Sequence, residues 1–132
     1  MIGRLHHVVI DCARPRELAE FYSELTGLPV TYERPDWVVI SKDEESSGLA
    51  FQLTADFQPP KWPNPDYPQQ IHLDVMVDDF DEAEQKVLAL GAHRLTNTDS
   101  AQDWRVYADP EGHPFCLVPR PGWAAPVHAE EG

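Results

Sequence analysis

The stretch HVVIDCARPRELAEFYSELTG (residues 7–27) and its counterpart IHLDVMVDDFDEAEQKVLALG (residues 71–91) decide the fold, because each reads as a strand followed by an amphipathic helix that stops at glycine. His7 and His72 are 65 residues apart, and the helix-stop glycines Gly27 and Gly91 are 64 apart. The same offset of 64 separates Gly48 from Gly112 and Phe51 from Phe115, which sit in GLAFQL (48–53) and GHPFCL (112–117). One deletion near Thr26 brings all four landmarks into step. Solenoids repeat at roughly 20–50 residues, so two copies at this longer spacing imply a duplicated supersecondary module.

Local signals fill in each copy. Leu5–Cys12 is rich in Val and Ile, as a buried strand is, and Pro15 suits the first turn of a helix. Leu18, Phe21, Tyr22 and Leu25 recur at helical spacing before Gly27. β-rich runs follow at Val30–Glu33, Trp37–Ser41 and Leu49–Thr54, with turn residues between them. The second copy predicts a strand over Gln70–Val77, a helix over Glu82–Leu90, and strands near His93–Thr96, Trp104–Ala108 and Phe115–Val118. Asp109-Pro-Glu-Gly112 is the turn before the last of these. The expected fold is α+β, with two tandem βαβββ modules (4–54 and 70–119) forming curved mixed sheets around a cavity. A connector over 55–69, with five prolines between Gln58 and Gln69, reads as a stiff spacer, and 120–132 reads as a tail.

Composition bounds the function. At 132 residues the chain is a single domain's worth, and its two modules are each too small to be stable alone. They must pack together or with a partner chain, and their open sheet faces predict a homodimer with cavities at or near its interface. A net charge of −13 with ten scattered basic residues argues against nucleic acid, which is held through Lys and Arg. There is no apolar run of about 18 residues to span a membrane. The start Met1-Ile-Gly-Arg-Leu5 lacks a signal-peptide pattern, so a cytoplasmic location is expected, with Cys12 and Cys116 as reduced thiols.

Side chains alternate along a strand, so parity assigns faces. Val8, Ile10 and Cys12 share one face of the first strand, and Leu73, Val75 and Val77 share one face of the fifth. These apolar faces must meet the helices. His7 and Asp11, and His72, Asp74 and Met76, then point the other way. The same rule puts Gln52 and Cys116 on that second face of the fourth and eighth strands. A pseudo-twofold would bring His7, Gln52, His72 and Cys116 toward a common concave surface. His6 reads as ordinary surface, and His113, in a turn, as exposed.

The doubled βαβββ plan, a His opening strands one and five, Phe21-Tyr22 on the first helix and the Asp-Pro-Glu-Gly turn together resemble the vicinal oxygen chelate superfamily. That superfamily includes glyoxalases, extradiol dioxygenases, fosfomycin-resistance enzymes and bleomycin-resistance proteins. The resemblance spans residues 4–120. Val8–Cys12, Pro68-Gln-Gln-Ile-His-Leu-Asp-Val75 and Asp109–Leu117 are similar more narrowly to glyoxalase-like domain proteins.

The resemblance implies a divalent-ion site on strands one, four, five and eight, usually His or Gln, Glu, His and Glu. The matching positions hold His7, Gln52, His72 and Cys116. Cys116 departs from that pattern, removing both the last carboxylate and the residue that often serves as base. Zinc is the ion that would suit two His and one Cys, but the incomplete set favours no cofactor. A drug-binding relative would stack a planar ligand on rings such as Trp37, Trp104 or Trp62. The reading that leads is a metal-free small-molecule-binding protein of the resistance or sequestration type. The alternatives are a metal-dependent lyase, isomerase or dioxygenase, and a dimeric interaction module. Expected ligand-binding residues are His7, Asp11, Trp37, Gln52, His72, Asp74, Met76, Trp104 and Cys116.

Overall fold

A strand with one apolar face is stable only when that face is covered, and each half of the chain covers its own sheet with its own helix. The computed structural model describes residues 1–95 and 104–130. It divides into a first unit, Met1–Gln58, and a second, Pro59–Gly132.

In the first unit, β1 (His7–Cys12), α1 (Pro15–Thr26), β2 (Val30–Arg34), β3 (Trp37–Ser41) and β4 (Gly48–Leu53) follow in that order. The sheet order is β1-β4-β3-β2, with β1 parallel to β4 and the other pairs antiparallel. Pro15 opens α1 and Gly27 closes it, its N–H bonded to the Ser23 carbonyl at 2.8 Å. The helix buries Leu18, Ala19, Phe21 and Tyr22, while Val38, Ile40 and Phe51 are fully buried in β3 and β4. Tyr22 stacks on Phe51 with ring centroids 5.5 Å apart, which fixes which face of β4 meets the helix. Each such aromatic contributes about 1.5–3 kcal/mol by leaving water. Gly48 belongs to β4 because a Cβ there would lie 2.0 Å from the Ile40 carbonyl oxygen.

The second unit repeats the order with β5 (Leu73–Val77), α2 (Phe80–Ala89), β6 (His93–Arg94), β7 (Arg105–Ala108) and β8 (Pro114–Pro119), ending in a 3₁₀ turn at Val127–Glu130. Its sheet order is β5-β8-β7-β6, again with one parallel pair, β5 and β8. Tyr107 of β7 stacks on its ladder partner Phe115 of β8 at 5.6 Å, a strand-to-strand contact where the first unit has the helix-to-strand pair Tyr22–Phe51.

Several element boundaries differ from the sequence expectation, and three of the differences, in the second unit, have a local cause or limit. β5 begins at Leu73 and not at Gln70, since its first rung is Leu73 opposite Phe115 and Pro114 beyond it has no N–H to donate. α2 begins at Phe80, two residues early, because the Asp79 carboxylate accepts the Glu82 N–H at 2.9 Å and caps the helix there. β6 is two residues long, and its expected end at Thr96 lies outside the described residues.

The Asp109–His113 turn is also more than a surface loop. Asp109 is 1% exposed, and its carboxylate accepts the Glu111 and His113 backbone N–H groups at 2.8 and 3.0 Å. His113, expected to be exposed, is only 15% so at its side chain and sets Nδ1 2.7 Å from Asp109 Oδ2. A buried carboxylate needs such partners, which is why the imidazole folds inward. Gly112 follows at φ +99°, a backbone region that L side chains rarely adopt. Among the described residues no helix is long and apolar enough to cross a membrane.

Candidate functional site

Each sheet turns its helix-free face to a cleft of its own. In the first unit a cleft of about 430 Å³ is lined by His6, His7, Tyr32, Trp37, Ser41 and Glu44, with Thr31 and Val39. In the second, a cleft of about 460 Å³ is lined by Trp62, Gln69, His72, Asp74, Trp104 and Cys116, with Val106 and Val118. Strand parity explains both. Trp37, Val39 and Ser41 alternate with the helix-facing Val38 and Ile40, and Val106 pairs with Cys116 on the face opposite Tyr107 and Phe115.

The second cleft gathers the richer chemistry. Asp74 lies directly across the parallel ladder from Cys116, and His72 Nε2 is 3.3 Å from Asp74 Oδ1. One ligand atom each from His72, Asp74 and Cys116 lies within 4.8 Å of the others. Burial first, then the Asp74 charge and its hydrogen bond, push the Cys116 thiol up to about 11. The thiol is therefore neutral at physiological pH and a poor nucleophile. Gln69 Oε1 is buried in the same cleft without a hydrogen-bond partner.

In the first cleft, His7 is held differently. The Gly48 N–H donates to His7 Nδ1 at 3.1 Å, so the neutral ring carries its proton on Nε2. The His6 ring lies 3.9 Å away, and burial followed by His6 lowers the His7 pKa. His6, expected to be ordinary surface, is thus part of a cleft wall.

The four positions at which the superfamily places its ion do not fit a metal here. A histidine ligand normally donates its second N–H to an acceptor, whereas His7 accepts at Nδ1 and has a proton where the ion would bind. Along the β1–β4 ladder His7 faces Gly48 and Gln52 faces Asp11, four residues further on. At about 3.3 Å per residue that separates His7 from Gln52 by roughly 13 Å. In the second sheet the matching pair is close, because Cys116 faces Asp74, two residues from His72. The repeat that keeps His and Gly landmarks in step therefore slips by two residues between the ladders.

Of the expected site residues, the structure brings His72, Asp74, Trp104 and Cys116 together in one cleft and puts His7 and Trp37 in the other. Asp11, Gln52 and Met76 are exposed and line neither. Gln69 is not among the expected site residues. Its connector looked like a stiff spacer, but hydrogen bonds from Lys61 N to Tyr67 O (2.8 Å) and from Asn64 N to Lys61 O (2.6 Å) fold it into a compact loop. That loop carries Trp62 and Gln69 to the cleft. A lone Trp and a terminal Gln among prolines were the available signal.

Two four-stranded mixed sheets, each with one parallel strand pair and one covering helix, define the vicinal oxygen chelate fold. Residues 7–118 match the family model described as a glyoxalase-like domain, and the chain belongs to that family. It is similar to a glyoxalase-related enzyme from Fulvimarina pelagi, with TM-score 0.67, 18% identity, and 96% of this chain and 94% of that chain covered. A glyoxalase/bleomycin resistance protein/dioxygenase family enzyme from Burkholderia phytofirmans PsJN aligns with TM-score 0.66 and 17% identity, covering 89% and 98%. The fosfomycin resistance protein FosX from Listeria monocytogenes aligns with TM-score 0.65 and 14% identity, covering 92% and 97%. At such identities the likeness is one of fold. No curated protein matches the sequence.

Proposed function

We propose that this glyoxalase-like protein binds a small planar molecule in the second-unit cleft, in the manner of a resistance or sequestration protein, without a metal at the four superfamily positions. The observation that carries this reading is the cleft itself. Its volume of about 460 Å³ suits a drug-sized ligand, and two indoles stand in a wall that also holds a neutral thiol. Trp62 and Trp104 offer large flat apolar faces, and Trp104 remains 51% exposed, so a stacked ring would remove it from water. The proton on His7 Nε2 supports the absence of the family's ion. The resistance function in the name of the Listeria neighbour is compatible with this reading.

A metal-dependent lyase, isomerase or dioxygenase is the second reading, and the closeness of His72, Asp74 and Cys116 is what favours it. Elemental analysis of protein purified without chelator separates the two. Less than a tenth of an ion per chain is the expected result, and stoichiometric zinc lost in His72→Ala would overturn the metal-free reading. Binding is tested by tryptophan fluorescence titration with flat aromatic probes, where Trp104→Ala should weaken every probe. A homodimer belongs to the same proposal, and light scattering from a monomer at micromolar concentration would refute it.

A further inference from the structure

Two acceptors of the second-unit cleft, Asp74 and Gln69, ask for the same kind of ligand. Asp74 supplies a carboxylate whose side chain is 58% exposed; His72 Nε2 stands 3.3 Å from it and the Cys116 thiol bonds to it, but among the described lining residues there is no Lys or Arg. The nearest arginine in sequence, Arg105, has the opposite parity. It is tied to Asp81 at 3.1 Å and Glu84 at 3.7 Å, with its guanidinium over the Phe80 ring. In the same cleft wall, the buried Gln69 Oε1 is an acceptor that has no hydrogen-bond partner. Two acceptors, one charged, thus stand among indole faces, and a chain carrying −13 overall concentrates cations at its surface.

Resting on the reading of this cleft as a ligand site, we infer that its ligand is a flat aromatic cation whose charge is carried on N–H groups, such as an aryl amidinium or a ring-borne ammonium. The ring lies against Trp62 and Trp104, where the positive charge also gains from the indole faces. The N–H groups donate to the Asp74 carboxylate and, with a rotation of the half-buried Gln69 side chain toward the cleft, to its Oε1, which supplies the partner that oxygen lacks. An aromatic acid of the same shape would set its carboxylate beside Asp74 and leave Gln69 unpaired, so it is rejected.

The test compares three isosteric probes, naphthamidine (a cation), naphthamide (neutral) and naphthoate (an anion), by calorimetric titration of the full chain at pH 8, where ordinary imidazoles are neutral. The amidine should bind about tenfold more tightly than the amide, and the acid more weakly than either. Asp74→Asn, which keeps the side-chain shape, should bring amidine and amide to within about twofold of each other. Gln69→Leu should weaken both of these while leaving naphthoate unchanged. Equal affinity for amidine and amide in the unaltered protein, or a preference that survives Asp74→Asn, overturns the inference. Failure of all three probes to bind, or binding untouched by Trp104→Ala, instead sinks the cleft as the ligand site.

Discussion

Cys116 should be close to inert in the native protein, and Asp74 should be part of the reason. Burial and Asp74 raise its thiol from 9.0 to about 11. The thiolate fraction falls tenfold per pH unit below the pKa, so at pH 8 about one side chain in a thousand is ionised, against about one in ten for a thiol at its ordinary value. Iodoacetamide attacks only the thiolate. Native Cys116 should therefore be alkylated about a hundredfold more slowly than the same residue in urea-unfolded chain, before any shielding at its 8% exposure is counted. Burial is the largest of the three causes, so Asp74→Asn should recover only part of this, roughly three- to tenfold. Peptide mass spectrometry after timed quenching reads Cys116 separately from the fully buried Cys12. The same shift bears on stability. The unfolded thiol loses its proton first, so between about pH 9 and 11 the native state holds more protons and stability falls as pH rises, by up to about 2–3 kcal/mol. A native alkylation profile with its midpoint below pH 9, or an Asp74→Asn variant that reacts no faster, would refute this account.

Gly48→Ala should cost about 2 kcal/mol or more of stability, read as a lower urea midpoint, because a Cβ 2.0 Å from a backbone oxygen forces β3 and β4 apart; an unchanged midpoint would show that the two strands are free to separate. The Asp78 carboxylate accepts the Val127 and His128 N–H groups at 3.0 and 3.2 Å and pairs with Arg120 at 3.0 Å, and chiefly the Val127 bond holds its pKa below the ordinary value. A depressed pKa stabilises above the unfolded value and is lost as pH falls, so limited acid proteolysis should release the segment around 127 as pH drops below about 3.9, and Asp78→Ala should release it at neutral pH.

Much of this was legible in the chain itself, and the boundary falls along a physical line. Periodicity is a local property, so the strand ending at Cys12, the helix closed by Gly27, the three short strands after it and their second copies could be read from spacing alone. Parity likewise placed His72, Asp74 and Cys116 on one face, since alternation along a strand needs no knowledge of its neighbour. The rung on which two strands meet is not local. His7 and Gln52 share a face but stand four rungs apart, while His72 and Cys116 stand two apart, and only the hydrogen-bonded register of β1 with β4 and β5 with β8 decides that. The proton on His7 and the return of Gln69 to the cleft depend in the same way on contacts between residues distant in sequence, Gly48 N–H in one case and the folded connector in the other. Sequence by itself determined the modules, their duplication and which residue types face away from the helices. Tertiary pairing alone decided which of those residues meet, because register is set by the summed packing of whole strands and not by any one residue's preference.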